Sequence, residues 1–135
     1  MKQVMPFLET KFDLKKNIRI VRLTLFGLGE SAAGAALRES ESRFANVKFG
    51  FRVDFPYIEV KLVSTRNNDS SGRMMADAKA WAIEQLKNHV VSTSGLSLAQ
   101  EVARLLVSHQ KTVAVAESCT GGLIANMMTD VSGSS

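Results

Sequence analysis

Thr112-Val113-Ala114-Val115-Ala116-Glu117-Ser118-Cys119-Thr120-Gly121-Gly122 runs into Leu123-Ile124-Ala125-Asn126-Met127-Met128-Thr129-Asp130 and then Val131-Ser132-Gly133-Ser134-Ser135. A short apolar run ends in a carboxylate and a hydroxyl, turns over two glycines and continues with helical spacing. This reads as strand, turn and helix. The turn sets Ser118, Thr120 and the backbone amides of Gly121 and Gly122 at the start of a helix, where unpaired N–H groups attract phosphate or carboxylate. Glycine lets the backbone approach a bound group because no Cβ intervenes. Read from the residues alone, the turn is an ordinary helix cap in an α/β layer.

Outward from this stretch, 135 residues suit one ordinary domain, or one small domain with a piece of another. With 45% hydrophobic residues and mean hydropathy near zero, the composition is that of a folded globular chain. No apolar run approaches the roughly 20 residues that cross a bilayer, and Glu9, Lys11, Asp13, Lys15 and Lys16 interrupt any signal-peptide core. One cysteine makes no internal disulfide, which suits a reducing cytoplasm. Seventeen basic residues face thirteen acidic ones, a net charge of +4, and both signs are spread along the chain. That pattern is a mixed solvated surface and names no partner. Nothing calls for a metal or cofactor.

The spacing of Val4, Met5, Leu8 and Phe12 predicts a short helix near the N-terminus. Residues 17–26 read as a strand, broken by Gly27-Leu28-Gly29-Glu30-Ser31, with Ser31 capping an alanine-rich helix to about Phe44. Val47, Phe49, Phe51, Val53 and Phe55 alternate with Lys48, Gly50, Arg52 and Asp54. After Pro56, Ile58, Val60 and Leu62 alternate with Glu59 and Lys61. Two alternating strands with a short connection imply an antiparallel hairpin, covered by helices on one side. A polar loop then leads into a long helix, to about Val90, with the stripe Met75, Ala78, Ala82, Ile83, Leu86 and Val90. Trp81 and Met74 edge that stripe as packing residues, and His89 near the helix end is structural. Ser97 and Gln100 form a capping box for a helix whose face is Leu98, Val102, Leu105, Leu106 and His109. Residues 112–116, apolar on both faces, predict a strand buried inside a parallel sheet.

Two linked motifs, Glu117-Ser118-Cys119-Thr120-Gly121-Gly122 and Thr129-Asp130-Val131-Ser132-Gly133-Ser134-Ser135, resemble the opening of the CinA C-terminal domain, the nicotinamide-nucleotide amidase family. Phe26-Gly27-Leu28-Gly29-Glu30-Ser31 is similar to a signature in the middle region of the same proteins. The resemblance implies an α/β (α+β) fold in three parts. Residues 1–14 would be a linker helix at the tail of a molybdopterin-binding-like domain. Residues 15–93 would be a KH-like domain of β-α-β-β-α order, and residues 94–135 the N-terminal helix–strand–helix fragment of the amidase-like domain. It further implies hydrolysis of the amide of nicotinamide mononucleotide, with release of ammonia. Ser135 is then the catalytic nucleophile, and Glu117, Ser118, Thr120, Gly121 and Gly122 are the substrate-binding turn.

The family's tyrosine and lysine follow shortly downstream of that serine. Neither is among these 135 residues, so the chain by itself is expected to be inactive. A serine needs an adjacent base. Cys119 is an alternative nucleophile, since a helix N-terminus lowers a thiol pKa. Both histidines, His89 and His109, lie upstream on helices and make no pair with it, so Cys119 is read as a pocket or packing residue. A KH-like interaction or oligomerisation module is the competing reading, and the unpaired 112–116 strand points to a homo-oligomer. Nucleic-acid binding is disfavoured. No GXXG clamp is present, and Glu59 and Asp54 interleave with Arg19, Arg22, Lys48, Arg52 and Lys61.

Overall fold

The computed structural model describes residues 18–64 and 69–134. The expected N-terminal helix, the polar loop at 65–68 and Ser135 lie outside the described residues. The fold is α+β, with a four-stranded antiparallel sheet in the order β2-β3-β1-β4. β1 spans Arg19–Phe26, β2 Lys48–Asp54, β3 Tyr57–Ser64 and β4 Val90–Ser92. Helix α1 (Glu30–Ala36), helix α2 (Ser40–Arg43) and helix α3 (Asp69–Leu86) lie between them in sequence. The strand-helix-strand-strand-helix order expected of residues 17–90 is therefore present.

Alternation dictates the two faces of the sheet. On β3, Ile58, Val60, Leu62 and Ser64 are buried while Tyr57, Glu59, Lys61 and Val63 are half-buried. Leu23 and Leu25 of β1 join the buried set. Against it pack Ala33 and Leu37 from the α1 end, and Met75, Ala78, Ala82 and Leu86 from α3. Three of these six helix positions are alanine, which lets the helix backbone approach the sheet there. Each fully buried leucine contributes on the order of 1.5–3 kcal/mol of transfer free energy. Phe44, Phe49 and Trp81 close one end of this core, with ring centroids 5.6–6.4 Å apart. Trp81 packs, as its place beside the stripe implies.

The structure departs from the sequence expectations at four places. The alanine-rich stretch forms two helices, with Gly29 and not Ser31 at the first N-cap. Gly34 inside the first helix costs helical stability relative to alanine, and the helix closes at Leu37. The long helix stops at Leu86. Residues Lys87–His89 form a 3-10 turn, and Val90–Ser92 become the edge strand β4, paired with Thr24 and Leu25 of β1. β-branched valines and an open β1 edge override the helical period here. Val53 and Phe55, at the tip of the β2–β3 hairpin, are 54% and 94% exposed. Finally, residues 112–116 form no strand. Among the described residues none pairs with them, and a strand exists only through its ladder. Val113 and Val115 are exposed at 53% and 43%.

Beyond β4 come helix α4 (Leu98–Ser108) and helix α5 (Leu123–Thr129), joined through the extended 112–116 segment. The capping box of α4 is fully formed: the Gln100 N–H donates to Ser97 Oγ at 3.2 Å, and the Ser97 N–H donates to Gln100 Oε1 at 2.9 Å. The linker rests on the sheet. Thr24 Oγ1 donates to the Leu96 carbonyl at 2.9 Å. Gly95, at φ +77°, lies against Arg22 so closely that a Cβ would stand 2.8 Å from Arg22 Cβ. Only glycine fits both constraints.

Candidate functional site

Glu117 is the centre of the turn. Its Oε2 accepts from Thr120 Oγ1 at 2.7 Å and from the Ile124 N–H at 2.9 Å, and its Oε1 accepts from the Ala125 N–H at 2.8 Å. Gly122 is the N-cap of α5 at φ 85°, so Ile124 and Ala125 are the second and third residues of the helix. Their N–H groups have no intrahelical acceptor, and the carboxylate supplies one. The Ala125 N–H first, then the Ile124 N–H and the Thr120 hydroxyl, hold the Glu117 carboxyl below the usual carboxylate range. The attraction for an anion that the sequence assigned to this helix start is thus met in part by the chain's own carboxylate.

The backbone around it is unusual in a run of six residues. Cys119 (φ 68°), Gly121 (φ 63°) and Gly122 (φ 85°) are all left-handed. Glycine adopts this at no steric cost; cysteine does not. Ser118 and Thr120 are exposed, and Ser118 Oγ stands 3.8 Å from Cys119 Sγ. Cys119 is exposed, so it is not a packing residue.

The second motif sits at the other end of α5. Thr129 Oγ1 donates to the carbonyls of Ala125 and Asn126, and Ser134 Oγ donates to the Thr129 carbonyl at 3.4 Å. Gly133, at φ 81°, turns the chain after the helix. Ser135, the expected nucleophile, lies outside the described residues.

Between α4, the 112–116 segment and α5 lies a groove of about 480 Å³ lined by Leu106, Val107, Val113, Val115, Met128 and Ser134 among others. None of Glu117, Ser118, Thr120, Gly121 or Gly122 lines it. The candidate binding residues and the groove are on different parts of the same unit. Among the described residues no cluster of His, Cys, Asp and Glu could hold a metal ion, and no helix is long and apolar enough to cross a membrane.

Sequence reasoning missed one polar cluster. Glu101 is 7% exposed. Its Oε2 accepts from Arg104 Nε at 2.6 Å and its Oε1 from Ser94 Oγ at 3.4 Å. Ser92 Oγ lies 3.1 Å from Ser94 Oγ and accepts the N–H groups of Ser94 and Leu96. Ser92 first, then the Arg104 guanidinium, hold the Glu101 carboxyl below its usual range. The adjacent capping box marked the helix start, but nothing in the local pattern marks Glu101 as buried.

A family model described as the CinA C-terminal domain matches residues 95–135. The chain is 47% identical over 114 residues to a CinA-like protein of Desulforapulum autotrophicum, covering 84% of this chain and 27% of that protein. It is 35% identical over 133 residues to a CinA-like protein of Geobacter metallireducens, covering 98% of this chain and 32% of that one. Residues 95–135 thus match the CinA C-terminal domain, and most of the chain is similar to one part of longer CinA-like proteins. The chain spans about a third or less of the length of these CinA-like relatives. The CinA C-terminal match begins at Gly95, the residue seated on Arg22, so the matched region starts where the linker crosses the sheet.

Proposed function

We propose that the CinA-like protein to which this chain corresponds hydrolyses the carboxamide of nicotinamide mononucleotide. Ser135 is the nucleophile in this reading, and Glu117, Ser118, Thr120, Gly121 and Gly122 form the substrate-binding turn. The observation that carries it is the placement of two motifs at the two ends of one short helix. Glu117 ties the turn to the N-terminus of α5, and Gly133 and Ser134 of the second motif follow its C-terminus. Seven helical residues at ~1.5 Å each separate them by about 10 Å, a span that suits an elongated nucleotide with its phosphate and its carboxamide at opposite ends. Ser135 Oγ would add to the carboxamide carbon, ammonia would leave with a proton, and water would release the acid from the acyl-serine. The serine proton needs a base. The resemblance assigns that task to a tyrosine and a lysine, and a chain without them is proposed to be inactive.

Ammonia release from nicotinamide mononucleotide, measured for this chain and for one extended through the following residues of its gene, tests the reading. Expected are no turnover for the 135 residues, turnover for the extended chain, and its loss in Ser135→Ala. Turnover that survives Ser135→Ala removes the serine from the chemistry.

A second reading, an interaction or oligomerisation module, is favoured by the apolar lining of the groove. Val107, Val113 and Val115 line it and are 43–76% exposed, and clustered exposure of this kind marks contact surfaces. Self-association through the 112–116 edge would give it a ladder partner. Light scattering is expected to report an oligomer that Val113→Asp with Val115→Asp dissociates. A monomer at every accessible concentration ends this reading.

A further inference from the structure

The face of the sheet away from the core carries a feature that neither the amidase reading nor the groove uses. Among the described residues, the helix positions of the core pack on one face; the linker crosses the other at Arg22 and Thr24, and strand register fixes what else stands there. Arg22 lies opposite Lys61 and Lys61 opposite Gly50; Thr24 lies opposite Glu59 and Glu59 opposite Arg52; Phe26 lies opposite Tyr57 and Tyr57 opposite Asp54. Lys48, two residues from Gly50, lies opposite Val63. Alternation puts all of these on the face away from the core.

The sequence counted Glu59 and Asp54 against a basic face, and the register changes that account. Glu59 is held from both sides, 3.6 Å from Arg22 Nε and 3.2 Å from Lys61 Nζ. Its side chain is 22% exposed, against 46% for Arg22 and 36% for Lys61. The cations therefore stand outward of the carboxylate between them. Asp54 lies at the far end of β2, beside the aromatic row, and Lys48 and Arg52 are exposed. Four cations against two carboxylates leave the face positive.

At one end Phe26, 45% exposed, and Tyr57 form a tilted ring pair with centroids 6.3 Å apart. In the middle Gly50 leaves open space: a Cβ there would meet nothing within 4 Å. The linker at Gly95, pressed on Arg22, borders the strip on the β1 side.

We propose that this strip binds single-stranded nucleic acid without sequence preference. Phosphates would lie along Arg22, Lys61, Lys48 and Arg52, and a base would stack on the Phe26–Tyr57 pair. Basic side chains that track a backbone beside exposed rings are the two elements such binding requires. The rings favour a nucleic acid over an acidic polypeptide, which has no flat group to stack on them. No base-edge reader is needed, which agrees with the absence of a GXXG clamp.

The test is fluorescence anisotropy of the full chain with a labelled 15-nucleotide oligo(dT), at low and physiological salt. Binding is expected at low salt, weakening with a log–log slope of about −2 to −3 if three or four phosphates are neutralised at ~0.7 per phosphate. Lys48→Glu with Arg52→Glu is expected to lower affinity at least tenfold. Phe26→Ala is expected to lower it at least fivefold, the low end for one stacked base, and Tyr57→Phe to retain it. Arg38→Glu with Arg73→Glu, exposed outside the sheet, is the charge control and is expected to bind as the parent chain does; circular dichroism checks that each variant folds. No binding at low salt, an equal loss in the charge control, a duplex of the same length bound as tightly, or displacement by poly-glutamate of equal charge would each overturn the proposal.

Discussion

Glu117 reaches eight residues along the chain to accept the Ala125 N–H at 2.8 Å. A residue that the sequence offers as a ligand contact is thereby also the cap that starts α5. The two roles compete for the same oxygens, and the cap already takes three hydrogen bonds.

This relationship predicts a pH dependence. The capping bonds lower the Glu117 carboxyl in the folded chain, so the unfolded chain binds the proton more readily. The stabilisation is then fully present above the ordinary carboxylate pKa of about 4.3. It is lost as pH falls through the lowered folded value. Hydrogen exchange is expected to show the Ile124 and Ala125 amides protected at neutral pH and exposed in Glu117→Gln. Undiminished protection in that variant would mean the carboxylate is not the cap.

Glu101→Ala is expected to destabilise the chain by about 1–3 kcal/mol. The change removes the acceptor of the Ser94 hydroxyl and the polar partner beside the buried Ser92 hydroxyl. The ion pair itself contributes little, because the Arg104 side chain is 58% exposed. Arg104→Ala should therefore cost under ~1 kcal/mol. Urea unfolding of both variants separates the two contributions, and equal losses would contradict the assignment.

Gly95→Ala is expected to cost at least ~1 kcal/mol, since an L-residue at φ +77° is strained. Its Cβ would also meet the Cβ of Arg22 at 2.8 Å, an atom with no freedom to swing aside. The linker should lift from β1, and exchange at the linker amides should quicken before the sheet unfolds. Unchanged stability and exchange would show that the linker does not rest on the sheet.

Leu62→Ala removes a side chain with no exposure from the centre of β3. The expected loss is about 2–5 kcal/mol, transfer plus cavity. The same change at Val107, which is 76% exposed, should lie within about 0.5 kcal/mol. Chemical denaturation of the two variants checks the assignment of core and surface, and a comparable loss at Val107 would place that surface in contact with something.

What the sequence determined by itself was local. The alternation of Ile58, Val60 and Leu62 chose a strand and its buried face, and the stripe Met75, Ala78, Ala82 and Leu86 chose a helix and its side. Ser97 and Gln100 set the start of α4 through bonds made within three residues. The two motifs around α5 were legible as motifs, and with them the likeness to the CinA C-terminal domain. Only the tertiary structure decided the rest. Val90–Ser92 became a strand because the edge of β1 was open to it, and residues 112–116 did not, because none of the described residues pairs with them. Glu59 turned from an obstacle on a basic face into a shielded counter-ion once register set Arg22, Lys61 and Arg52 around it. Glu101 was buried by a linker whose course no periodicity encodes. A period is read from neighbours in the chain. A ladder partner, a counter-ion or a covering segment comes from residues tens of positions away, and its free energy exists only when the chain has closed the distance.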